Sequence, residues 1–114
     1  MKNDLKELLV EKLEMIFPST TMREMVIEIL NRYGKEPYEQ EIVRVQLDIL
    51  KLAGSSLEDV DKWVTIAKKD YRDILASAEY PSQLLAPTWR MPKDEVSRIQ
   101  TTDRNQYEEW VNGK

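Results

Sequence analysis

Leu57–Tyr80 reads LEDVDKWVTIAKKDYRDILASAEY, and this stretch decides the fold. Its apolar or small positions are Leu57, Val60, Val64, Ala67, Tyr71, Ile74 and Ala78. They are separated alternately by three and four residues, which is the a/d spacing of one helix face. The pattern predicts one continuous helix of ~36 Å at 1.5 Å per residue. Ser55 or Ser56 is expected to cap its start, because Glu58 and Asp59 follow each serine by three residues. Pro81 is expected to end it.

Shorter helices precede this one. Residues 4–17 place Leu5, Leu8, Leu9, Leu13 and Ile16 on one face and Lys6, Glu7, Glu11, Lys12 and Glu14 on the other, with Asn3 as the expected cap. Residues 22–33 carry Met22, Met25, Val26, Ile29, Leu30 and Tyr33 at helical spacing. Thr21 and Glu24 have the capping-box separation, and Gly34 is a stop signal. Residues 37–53 open on Pro37, which suits a first helical position, and close on Gly54. That third segment is apolar round most of its circumference, with Arg44, Gln46, Asp48 and Lys51 as a narrow polar strip. A helix of this kind is expected at the centre, touching neighbours on at least two sides.

After Pro81 the chain changes. Residues 81–92, PSQLLAPTWRMP, hold three of the five prolines together with Leu84, Leu85, Trp89 and Met91. So much apolar area predicts an extended segment docked on the bundle, Trp89 included, rather than a flexible linker. Short helices are expected at 93–100, with Val96 and Ile99 inward, and at 103–112, capped by Thr101 or Thr102. The expected fold class is therefore all-α: an up-down bundle of four main helices in residues 1–80, with 81–114 packed on it in a single domain.

Composition narrows the function classes. The chain of 114 residues has 17 basic and 21 acidic side chains, a net charge of −4, spread without a basic block. Binding to nucleic-acid phosphate is not expected. The Tyr33–Pro37 turn does not read as a helix-turn-helix either, because Glu39 and Glu41 would meet the phosphates. No apolar run reaches the ~20 residues of a membrane span. There is no cysteine and no histidine. Disulfides, histidine triads and imidazole or thiolate metal sites are excluded by residue type. The absence of cysteine and of a signal-peptide core makes a cytoplasmic location the expectation. With glycines only at 34, 54 and 113, no phosphate-binding glycine loop exists.

Carboxylates remain as the chemistry-bearing groups. Asp70-x-x-Asp73, at the edge of the long seam, is one candidate cluster, and Arg72 and Arg90 are candidate anion ligands beside it. The more ordinary role for Asp70 or Asp73 is a pairing with Arg90 or a tail amide. Glu36-x-x-Glu39, then eighteen residues, then Glu58-x-x-Asp61, is a second candidate. That arrangement resembles the paired acidic motifs of the all-α nucleotide pyrophosphohydrolases, which are similar in size and helicity. The resemblance implies magnesium held by Glu36, Glu39, Glu58 and Asp61 and a phosphohydrolase activity. By residue type alone, Glu58 and Asp61 lie in a first helical turn, where acids favour the helix dipole.

The leading expectation is a non-enzymatic protein–protein interaction or regulatory module without a cofactor, binding a protein partner or itself. The alternative is the magnesium-dependent phosphohydrolase.

Overall fold

The computed structural model describes residues 5–85 and 88–113. The chain runs α1 (Leu5–Ile16), α2 (Thr20–Leu30), α3 (Ile42–Ala53), α4 (Leu57–Lys69), α5 (Tyr71–Glu79), α6 (Pro81–Leu85), a 3₁₀ turn (Thr88–Arg90) and α7 (Lys93–Asn112). The fold is all-α, with no strand among the described residues. None of the described helices is long and apolar enough to cross a membrane.

Helix α3 is central, as its wide apolar circumference requires. It packs against α1, α4 and α5, while α2 leans on α4. Val45, Leu47, Ile49 and Leu50 of α3 are all buried. Around them lie Leu9, Leu13 and Phe17 from the first segment, Val26, Leu30 and Tyr33 from the second, and Val60, Val64 and Ala67 from α4.

The long helix expected over Leu57–Tyr80 is two helices. Asp70 breaks it, with φ −159° and ψ 103°. Its N–H still bonds Ile66 O and closes α4, while its carboxylate accepts from Arg72 N at 3.1 Å and opens α5. An aspartate able to bond the amide two residues on competes with helical continuation. The seam survives the break, because Val60, Val64, Ala67, Ile74 and Ala78 are buried on both sides of it. Tyr71 is half-buried. Of the two serines, Ser56 is the cap, accepting from Asp59 N at 3.1 Å.

Two other starts differ from expectation. Ser19, not Thr21, caps α2 through Met22 N. Helix α3 begins at Ile42 rather than Pro37. Pro37 is the second residue of a turn closed by Glu39 N on Glu36 O at 3.0 Å, a position for which its fixed φ is suited. Glu41 then enters α3 in the left-handed region, at φ 54° and ψ 44°.

The C-terminal part departs furthest. Residues 93–112 form one helix of 20 residues, the longest among the described residues, not two short ones. Thr102 does not cap a helix; its hydroxyl donates back to Arg98 O at 2.9 Å inside α7. Pro81 does follow the end of α5, but it also starts α6, in keeping with proline's fitness for a first turn. Trp89 does not dock on the bundle: it is 79% exposed. The cap expected from Asn3 lies outside the described residues.

Polar side chains hold this arm in place. Asp103 of α7 is buried and accepts from Ser82 N and Gln83 N of α6, each at 3.0 Å. Gln106 Nε2 donates to Ala78 O at the end of α5 at 3.2 Å. Lys12, placed by periodicity on the outer face of α1, is buried instead. Its ammonium donates to Trp110 O and lies 4.5 Å from the Trp110 ring centroid, tying α1 to the end of α7.

Candidate functional site

Asp70 and Arg72 lie at the α4–α5 break. They border a cleft of about 310 Å³ together with Tyr33, Tyr38, Lys68 and Tyr71. The Asp70 carboxylate is taken by Arg72, through Nε at 2.9 Å and the terminal nitrogen at 3.0 Å. The Arg72 guanidinium holds the Asp70 carboxyl below its ordinary range. Among the described residues neither Arg90 nor a tail amide is its partner; Arg90 instead stacks over Trp89 at 4.7 Å from the ring centroid. Asp73 is exposed in the first turn of α5. Asp70 thus ends α4 with its N–H and caps α5 with its carboxylate, with Arg72 paired to it.

The second group of acids is dispersed. Glu36 and Glu58 are exposed. Asp61 pairs with Arg32 at 3.1 Å. Glu39 folds back into the protein. One oxygen accepts from Gly34 N at 2.6 Å and Glu36 N at 3.2 Å, and the other meets Lys68 Nζ at 2.7 Å. Burial pushes this carboxyl up, but Lys68 and the two amides outweigh burial and hold it below the ordinary glutamate value. Among the described residues no three carboxylates are placed to hold a metal ion.

Glu39 therefore clamps the 34–39 loop to α4. Glu39→Gln keeps the shape but sets an NH₂ against either the two amide donors or the Lys68 ammonium. It is expected to cost about 2 kcal/mol, the scale of hydrogen bonds to a charged group. Urea denaturation measures this, and a change below about 0.5 kcal/mol would rule the clamp out as a stabilising contact.

A third polar group was not visible as a site in the sequence. Arg44, Gln46 and Asp48 come from the polar strip of α3, but the strip is covered rather than solvated. Gln46 is buried and donates to Leu30 O at 2.9 Å, satisfying the end of α2. Asp48 is wholly buried. Tyr107 of α7 donates its hydroxyl to Asp48 Oδ1 at 2.5 Å. Glu79, in the last turn of α5, is held by Arg44 through Nε at 2.8 Å and the terminal nitrogen at 2.5 Å. Arg44–Glu79 and Tyr107–Asp48 are thus two bonded pairs in one polar chain of residues drawn from three helices.

The electrostatics of this chain are uneven. Burial first, and then its hydrogen bond and charge interaction with Glu79, push the Asp48 carboxyl up to about 9. Glu79 goes the other way: burial raises it, but the bonds from Arg44 and Asp48 prevail and keep it below its ordinary value. Burial, followed by the Asp48 charge, raises the Tyr107 phenol. Glu79 and Tyr107 also border a cavity of about 400 Å³, whose other walls include Tyr80, Gln83, Asp103 and Arg104. Asp103 is not free to act there. Burial raises its carboxyl, yet the Gln83 and Ser82 donors overcome this and hold it low. The one advance signal of this group was the narrow polar strip, Asp48 included, on a helix apolar round most of its circumference.

The outer surface carries a different feature. Leu84 of α6 is 58% exposed and Trp89 of the 3₁₀ turn 79% exposed. Tryptophan is highly buried on average, so its display here sets this turn apart from the packed helices. Comparison with known proteins adds no identity to these geometries: no family model, no curated protein and no solved structure gives a significant match to this chain.

Proposed function

We propose that the chain is a non-enzymatic, cytoplasmic protein–protein interaction or regulatory module. The observation that carries this reading is the outward display of Trp89 with Arg90 stacked on it. Tryptophan and arginine are the side chains most enriched at the energetic centres of protein interfaces. Their stack presents a flat apolar face and a cation together, so the matching partner surface is an apolar slot for the indole beside a carboxylate for Arg90. A second copy of the chain that offers such a slot would serve as well as another protein.

The first test uses Trp89 as its own reporter, in a variant with Trp63→Phe and Trp110→Phe. In dilute protein the expected emission is close to that of free tryptophan, with ready quenching by iodide. Emission shifted to the blue at every dilution would mean that Trp89 packs on its own chain, and the reading would fail. A blue shift that grows with concentration, matched by a rise in mass by sedimentation, identifies self-association. Without that rise, interaction partners recovered by the wild type and lost by Trp89→Ala identify a separate protein. The enzyme alternative is tested separately, by thermal shift with magnesium, manganese and nucleoside triphosphates and by pyrophosphate release. Metal-dependent turnover abolished by Glu58→Gln would replace the interaction reading.

A further inference from the structure

We propose that Asp48 and Glu79 share a single proton in the folded protein, and that this proton couples folding to pH across the neutral range. The two carboxyl groups come from packed helices, α3 and α5, and each perturbs the titration of the other. Two carboxylates so placed repel unless one keeps its proton. The geometry assigns that proton. Glu79 is clamped on both oxygens by Arg44, which favours its ionised form. Asp48 has no such cation clamp. Its Oδ1 accepts from Tyr107, and its Oδ2 is buried and receives no hydrogen bond from a described donor. An Oδ2–H donating to Glu79 removes that deficit and makes every member of the chain a donor to the next: Tyr107 to Asp48, Asp48 to Glu79, with Arg44 closing the far end.

The other charges around Asp48 do not replace the proton. Arg44 lowers the Asp48 carboxyl, but only as a smaller effect than burial and Glu79. Lys51, also on α3, feels both Asp48 and Asp103, and burial lowers its own ammonium. From α7, the Tyr107 hydroxyl is neutral, and its hydrogen bond lowers the Asp48 carboxyl without outweighing burial and Glu79. At the end of α5, Tyr80 lies near enough to Arg44 to interact with it.

The direction of the pH effect follows. In the unfolded chain Asp48 is an ordinary aspartate that loses its proton near pH ~4. In the fold it keeps the proton up to about 9. Between those limits the folded state binds one proton more than the unfolded state, so stability falls as pH rises. Below the lower limit this contribution is complete, and it is spent once pH passes the upper one. Glu79 contributes with the opposite sign but only below the ordinary glutamate range, so the neutral window belongs to Asp48.

Asp48→Asn is the informative variant. Its amide can donate to Glu79 and accept from Tyr107, as the protonated acid does, but it cannot ionise. The ratio of the wild-type folding constant to that of D48N cancels the titration of other groups. It is expected to fall by tenfold or more between about pH 5 and about pH 8, given a limit of tenfold per pH unit for one proton. A smaller fall overturns the proposal. If D48N does not fold, the carboxyl carbon resonance of Asp48 in the wild type decides. A protonated position near pH ~7 supports the shared proton, and a carboxylate position refutes it.

Discussion

Val64→Asp is expected to abolish the fold or to leave it barely populated at room temperature. Val64 is 2% exposed, on the face of α4 that carries Val60 and Ala67 into the core. A carboxylate there has no partner supplied by its neighbours. It must either enter the interior charged, or bind a proton at the cost of a strongly raised pKa, or force α4 away from α3. Each route costs about 4 kcal/mol or more, at the upper end for single substitutions. Against a typical total of ~5–15 kcal/mol for a domain, that is most of the stability. Thr65→Asp, one residue on, is the control. Thr65 is exposed, and an aspartate there is expected to change stability by less than about 0.5 kcal/mol. Circular dichroism melts of the two variants measure the contrast. Comparable melting temperatures would show that α4 does not bury this stripe.

The stripe behind this contrast runs over two helices, not over the single one its periodicity predicts. Apolar periodicity reports which side chains meet the core, and Val60, Val64, Ala67, Ile74 and Ala78 were all legible in that sense. It is nearly blind to whether the backbone between them is continuous. The break at Asp70 depends on one side chain bonding an amide two residues away, and Asp70-x-x-Asp73, considered as a ligand pair, has the spacing of a helix start. The same holds for Thr102, whose hydroxyl can cap a helix or bond back to the preceding turn with no difference in sequence. Pro37 could open a helix or occupy a turn, and the choice fell to the Glu39 carboxylate folding onto the Gly34 and Glu36 amides. Central placement of α3 was readable because so few polar residues interrupt it. The chemistry of its strip was not. Asp48 and Arg44 look solvated in sequence, and only the arrival of Glu79 and Tyr107 from distant segments turns them into a buried network. Trp89 departs from its expected burial for a related reason: apolar content argues for burial on average, but it does not say whether the covering surface belongs to the same chain.

Asp103→Ala is expected to give the largest loss among the polar contacts of the C-terminal arm. Asp103 is 1% exposed and is the one buried residue of α7. Its carboxylate accepts from the Ser82 and Gln83 amides and from Gln83 Nε2 at 3.2 Å. It therefore caps the start of α6 from another helix. Removing it leaves two amide donors without their acceptor and opens space between α6 and α7. Hydrogen bonds to a charged group contribute ~1.5–3 kcal/mol, and the unsatisfied donors add to the loss, so about 3 kcal/mol is expected. The loss should be local as well as global. Amide exchange at Ser82 and Gln83 should accelerate far more than exchange in α3, because α3 keeps its contacts with α1 and α4. The carboxylate also sets an acid limit. The Asp103 pKa is lowered in the fold, so its contribution is present above the ordinary aspartate value and is lost as pH falls through the lowered one. Wild-type protein should thus lose protection at Ser82 and Gln83 on acidification below about pH 4, while Asp103→Ala should lack that step. Equal exchange at these amides in both proteins at neutral pH would show that α6 and α7 are joined by other contacts and that Asp103 is a bystander.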